Sequence, residues 1–313
     1  MKTIPAIVGT HLLAVLPASA QSVWAESDVH TFRFGVEQDF AASTRIDNRH
    51  SDLFFRFCGG GGSVSVQADA PPAATNAPPM QAHLHANSLC RLTMPPALAA
   101  DYAFTGVAAN ETFWLLPQNQ EAGKLFLGIE SQSFPARLEP WNPNQPAKQA
   151  TSTARWLRIR LVAMRGPAGG HFSLFQYGVT VPIVYMSTSS GGIDINDSVF
   201  VTSGSHDHYN WSFSQPGLYE LDFRVASQVL PAAPVVTLDE PEPLPAATRL
   251  RWSAPEECCR YTLERASSLA APVVWNEVPG AVDLPYTAQP LEALDDPPPS
   301  FGPPAFYRVR AHP

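Results

Sequence analysis

Short runs in which apolar and polar residues alternate recur along this chain, and they predict strands rather than helices. Thr31-Phe32-Arg33-Phe34-Gly35-Val36-Glu37 alternates with period two, and Asp52-Leu53-Phe54-Phe55-Arg56-Phe57 does so less strictly. From Trp156 to Met164, Leu157, Ile159 and Leu161 fall on one side and Arg158 and Arg160 on the other. Tyr219-Glu220-Leu221-Asp222-Phe223-Arg224-Val225 alternates throughout. That is the pattern of a half-buried strand, whose successive side chains point to opposite faces. The same pattern resumes in Leu250-Arg251-Trp252, Arg260-Tyr261-Thr262-Leu263-Glu264-Arg265, Val274 to Val278 and Phe306 to Arg310. The expected fold is all-β: two antiparallel β-sandwich domains, residues 21–230 and 247–313, joined by a Pro-rich linker over 231–246.

Composition narrows this further. The 313 residues include 32 prolines, and each proline inside a helix would remove a donor and clash with the preceding turn, so bundles and helical repeats are excluded. Only 15% of residues are charged and the formal net charge is −8, which argues against nucleic acid as a partner, since that needs a basic stripe. The prolines are clustered. Some mark the linker, some the Pro297-Pro298-Pro299 turn, and some the Ala/Pro-rich stretch 68–80, which with the tetraglycine Gly59 to Gly62 predicts a mobile loop.

Residues 1–20 have the form of an export signal: Lys2, an apolar run from Ile4 to Leu16, then Ala18-Ser19-Ala20 as a small-x-small cleavage site. After it no stretch approaches the ~20 apolar residues that span a bilayer. The expectation is an exported protein, periplasmic, extracellular or surface-associated, with no transmembrane segment in its mature chain. Four cysteines suit that compartment. Cys58 and Cys90 are candidates for a disulfide, whereas Cys258 and Cys259 are adjacent and lack metal-ligand spacing.

The most distinctive blocks lie between Phe104 and Val225. They are Phe113-Trp114-Leu115-Leu116-Pro117-Gln118, Gly123-Lys124-Leu125-Phe126-Leu127-Gly128, Arg165-Gly166-Pro167 leading to His171-Phe172-Ser173-Leu174-Phe175, and His206-Asp207-His208-Tyr209-Asn210-Trp211-Ser212-Phe213 with Pro216-Gly217-Leu218-Tyr219. In order and spacing they resemble the choice-of-anchor M domain of actinobacterial-type surface-anchored proteins, over residues 29–228. This chain departs from that pattern at Gly166-Pro167-Ala168 and at Gly191-Gly192. The strands after residue 246 are similar to a fibronectin type III-like module, a spacer without chemistry of its own. The first resemblance implies a surface protein that captures or relays a ligand, with a transition metal among the candidates.

On a strand, His206 and His208 share a face with Cα atoms about 7 Å apart, within reach of one ion. Two imidazoles do not complete a zinc site. The resemblance implies His30 as a third ligand, since it matches a histidine near the start of the family domain, and Asp194 or Asp197 could add a carboxylate. Zinc or manganese is then the expected cofactor. Against this, Tyr209, Asn210, Trp211 and Phe213 suit a packed structural corner. His83 and His85 read as incidental surface residues and His171 as a strand residue. Asp194-Ile195-Asn196-Asp197 reads as a polar turn, because Ser198-Val199-Phe200 does not continue a calcium loop.

No nucleophile elbow, His-Glu-x-x-His or phosphate loop is present, so no enzyme activity is expected. The leading expectation is a non-catalytic binding protein for a metal ion, small ligand or cell-surface component. The rivals are a structural or adhesive domain, and a glycan-binding protein using Trp24 or Trp141 as a stacking platform.

Overall fold

The computed structural model describes residues 22–57, 62–68, 80–131, 138–189, 191–229, 236–244, 247–253, 260–285, 289–296 and 306–312. The expected export signal, Cys58, Cys258, Cys259 and most of the expected 68–80 loop lie outside these residues. Among the described residues the fold is all-β, and no helix is long and apolar enough to cross a membrane.

The alternation read from sequence becomes burial. In the strand Gly217–Val229, Tyr219, Leu221, Phe223 and Val225 are buried, while Glu220 and Arg224 reach the solvent side. In Trp156–Arg165, Leu157, Ile159 and Leu161 are buried against it. These two strands lie inside a seven-stranded sheet with the order Ser198–Thr202, Trp156–Arg165, Gly217–Val229, His30–Val36, Ala82–Ala86, Thr44–Ile46; Val23–Glu26 also pairs with Gly217–Val229. A five-stranded sheet runs Ile183–Ser187, Phe172–Gln176, Asn210–Phe213, Thr112–Leu116, Arg91–Thr93. A four-stranded sheet runs His206–His208, Phe126–Ser131, His50–Phe57, Gly62–Ala68.

One apolar cluster joins all three sheets. Phe32, Phe34 and Phe223 come from the first, Trp211, Phe172 and Phe213 from the second, and Leu53, Leu127 and Ile129 from the third. Fully burying each large side chain contributes roughly 1.5–3 kcal/mol, so this cluster is what sets the strand registers.

Two features depart from the expected antiparallel sandwiches. His50–Phe57 runs parallel to Phe126–Ser131, and Ala82–Ala86 runs parallel to both of its neighbours. Parallel pairing needs long crossovers, which a period-two pattern does not reveal. The expected linker is also not purely a linker: Glu242–Pro243 pairs with Thr248–Trp252, and Val236 and Leu238 pack on the C-terminal core of Leu250, Trp252, Tyr261, Leu263 and Val278. The C-terminal strands form a three-stranded and a four-stranded sheet sharing that core.

Candidate metal centre

The four-stranded sheet builds the site through register. Phe126–Ser131 lies between His50–Phe57 and His206–His208. Its Gly128 stands directly opposite Asp52 on one side and His208 on the other. Two positions along, His50 is opposite Phe126 and His206 is opposite Glu130. With a side-chain period of two, the pairs His50/Asp52 and His206/His208 therefore project from one face of three adjacent strands. The outer strands are about 9.6 Å apart at ~4.8 Å per strand. Their side chains can meet only because the middle strand carries no side chain between them. A Cβ on Gly128 would lie 2.1 Å from Asp52 Oδ1 and 2.9 Å from His208 Cε1.

The side chains do meet. His208 Nε2 is 3.1 Å from His50 Nε2 and 3.1 Å from His206 Nε2. His50 Nε2 is 3.4 Å from Asp52 Oδ2. Ligand atoms of all four residues lie within 4.8 Å of one another. An imidazole nitrogen carries one proton or one lone pair, so His208 Nε2 cannot form proper hydrogen bonds to two ring nitrogens at once. A cation at the shared centre could take one ligand atom from each of the four residues. Metal–nitrogen bonds of about 2.0–2.1 Å in a tetrahedron set ligand atoms about 3.3–3.4 Å apart, close to the three contacts of 3.1, 3.1 and 3.4 Å.

Surrounding contacts fix these rings. Phe126 stacks on His208 with ring centroids 3.6 Å apart and planes 9° from parallel. On the opposite face of the same short strand, Asp207 Oδ2 accepts from Gln176 Nε2 at 2.9 Å, and Gln176 Oε1 in turn accepts from the Tyr185 hydroxyl at 2.7 Å. Burial, reinforced by the adjacent His50 and His206, lowers the His208 pKa to about 4, so this ring is neutral and ligand-competent at pH 7. Asp52 is buried, with only 3% of its side chain exposed, whereas His206 is exposed and opens the cluster to solvent.

The His206–Phe213 block divides into two halves. At Tyr209 the chain leaves the four-stranded sheet and enters the five-stranded one. Before that point His206 and His208 stand at the rim, and after it Tyr209 to Phe213 are buried. Asn210 Oδ1 accepts from the Gln118 backbone N–H at 2.9 Å, and Trp211 Nε1 donates to the Leu127 carbonyl at 3.2 Å. These bonds tie the packed half to the Trp114–Gln118 and Gly123–Gly128 blocks.

Other expected residues lie elsewhere. His30 stands opposite Phe223 in the seven-stranded sheet, its pKa lowered mainly by burial, and does not join the cluster. The third imidazole is His50 instead. Asp194 accepts from the Asn196 backbone N–H at 2.6 Å within an exposed turn, and Asp197 accepts from the Asp194 and Ser187 backbone N–H groups, each at 2.7 Å. Their carboxylates hold the turn together rather than meeting the histidines. Cys90 is a buried free thiol, its pKa pushed up to about 11 by burial. Trp24 and Trp141 contact each other edge to face at 5.1 Å, and the Arg158 guanidinium lies over Trp24 at 4.8 Å.

Sequence reasoning missed His50, Asp52 and Gly128. The available signal was His50-Ser51-Asp52, a second ligand pair with the same i, i+2 spacing as His206-Asp207-His208. His83 and His85 were also misplaced: both are buried, with Asp39 Oδ1 2.9 Å from His83 Nε2 and 3.1 Å from His85 Nδ1. Burial and the nearby Arg45 lower the His85 pKa, and the hydrogen bond from His83 lowers that of Asp39.

Neither a scan of protein-family models nor searches of curated proteins and solved structures finds a match to this chain. The functional reading therefore rests on the residues themselves.

Proposed function

We propose that this is an exported, non-catalytic protein that captures a transition metal through His50, Asp52, His206 and His208. The observation that carries the reading is the double contact at His208 Nε2, with two ring nitrogens each at 3.1 Å and one nitrogen able to serve only one of them as a hydrogen bond. Three imidazoles and one carboxylate favour zinc over manganese, which prefers an oxygen-rich shell. Four protein ligands would fill a tetrahedral shell and leave no position for substrate or activated water, which suits retention of the ion rather than hydrolysis. Exposed His206 offers the entry point and buried Asp52 the floor.

Export at residues 1–20 and the likeness to the choice-of-anchor M domain belong to the same reading. Both are consistent with a metal-gathering role outside the cytoplasm, as is a spacer role for the C-terminal strands.

The test is a zinc titration of the untagged protein at pH 7.5 against a chromogenic chelator, alongside His206→Ala/His208→Ala. The expected result is competition by the native protein and a loss of more than about 100-fold in affinity in the variant, since even outer-shell changes cost 10–100-fold. Unchanged affinity in the variant would overturn the reading.

A further inference from the structure

A second histidine pair, His83 and His85, is buried and also faces a carboxylate. His83 and His85 alternate along Ala82–Ala86, so both rings leave the same face of a strand enclosed by His30–Val36 and Thr44–Ile46. The segment after Val36 folds back over that face. It can do so because Gly35 lacks a side chain: a Cβ there would lie 2.0 Å from the Gln38 carbonyl oxygen and 3.2 Å from His83 Cδ2. Glu37 and Ala42 bend the segment through left-handed conformations, with φ of 53° and 57°. The loop brings Asp39 over both rings.

Three details point to a cation rather than to packing. His83 Nδ1 lies 3.2 Å from Ser43 Oγ, which fixes the ring so that Nε2 faces Asp39, the kind of outer contact that orients metal-bound histidines. His85 is 97% buried and its Nδ1 has no hydrogen-bond partner; Asp39 Oδ1 is near enough, at 3.1 Å, but not in line with the ring nitrogen. The nearest cation, Arg45, is held by Asp47 at 2.7 Å and reaches Asp39 only at 3.5 Å. Arg45 thus pairs with Asp39 only through Oδ2 at long range, and Asp39 Oδ1 is left directed at both rings, 2.9 Å from His83 Nε2 and 3.1 Å from His85 Nδ1.

We infer that Asp39, His83 and His85 form a second site for a divalent transition metal, independent of the first. The two sites differ in closure. The first presents four protein ligands, whereas this one presents three, with Asp39 on the solvent side, so water would complete the shell and the ion would exchange more readily.

The experiment is equilibrium dialysis of the untagged, full-length protein against zinc, followed by elemental analysis. Three proteins are compared: native, His206→Ala/His208→Ala, and Asp39→Asn, which changes an exposed residue and whose fold is checked against the native protein by circular dichroism. The expected contents are two, one and one equivalents. Weaker retention at the second site would show as its loss first on stepwise dilution. One equivalent in the native protein and none in the double histidine variant would overturn this site and leave the first standing. One equivalent that survives the histidine substitutions but not Asp39→Asn would support this site and overturn the first. Two equivalents in Asp39→Asn, or none in the native protein, would overturn it.

Discussion

Gly128→Ala is the sharpest perturbation of the proposed centre, because it alters no ligand. The added Cβ would sit 2.1 Å from Asp52 Oδ1, 2.9 Å from His208 Cε1 and 3.1 Å from the Asp207 carbonyl oxygen. Real Cβ contacts stay beyond 3.0 Å, so Asp52 Oδ1 or the strand must move by about 1 Å. Metal–ligand distances tolerate only about ±0.2 Å, so a shift of that size removes the carboxylate from the shell. Overpacking of this kind costs about 1–3 kcal/mol, partly offset by the roughly 0.4–1 kcal/mol that Gly→Ala gains from the unfolded chain. At about 2–4 °C per kcal/mol for a domain of this size, the metal-free protein should melt only a few degrees lower. Zinc affinity, by contrast, should fall more than about 100-fold, exceeding the effect of an outer-shell change. Differential scanning fluorimetry with and without zinc, paired with the chelator titration, separates the two effects. The reasoning fails if Gly128→Ala binds zinc as the native protein does, or if zinc raises its melting temperature as much.

Three further outcomes follow from the same geometry. Trp211→Ala, in the packed half of the block, should cost about 3–5 kcal/mol with or without zinc, whereas His206→Ala should leave metal-free stability nearly unchanged; chemical denaturation of both measures the contrast. Because the folded His208 pKa lies below its ordinary 6.5, at about 4, the unfolded chain takes up the proton first. The metal-free protein should therefore lose stability as pH falls from about 6.5 toward 4, and His208→Ala should flatten that slope in melting curves. Cys90, buried with its pKa near 11, should resist alkylation by iodoacetamide until the protein is unfolded.

Much of the strand layout was legible locally, because burial of one face writes itself into the sequence as alternation; Tyr219 to Val225 and Trp156 to Met164 are the clearest cases. The His206/His208 pair was legible for the same reason. His50, Asp52 and Gly128 were not, because what joins them is register between strands whose paired residues, such as Asp52 and Gly128, lie 76 positions apart, and register is set by the shared core. Ala82-His83-Leu84-His85-Ala86 shows the opposite failure. Its two histidines read as incidental surface residues, but the loop from Glu37 to Ser43 returns to cover them, and nothing local announces a cover supplied by distant residues. The parallel pairings escaped for a related reason, since an apolar alternation looks the same whichever way its neighbour runs.

The central claim is that three imidazoles and one carboxylate converge on one ion. X-ray absorption at the zinc edge tests it most directly, on Asp39→Asn loaded with a single equivalent so that the second cluster does not contribute. The expected spectrum has four nitrogen or oxygen neighbours at about 2.0–2.1 Å with the multiple-scattering pattern of three imidazoles, and that pattern weakens to one when His206→Ala/His208→Ala is added to Asp39→Asn. A shell of oxygen neighbours without imidazole scattering, or the same spectrum in both proteins, would contradict the claim.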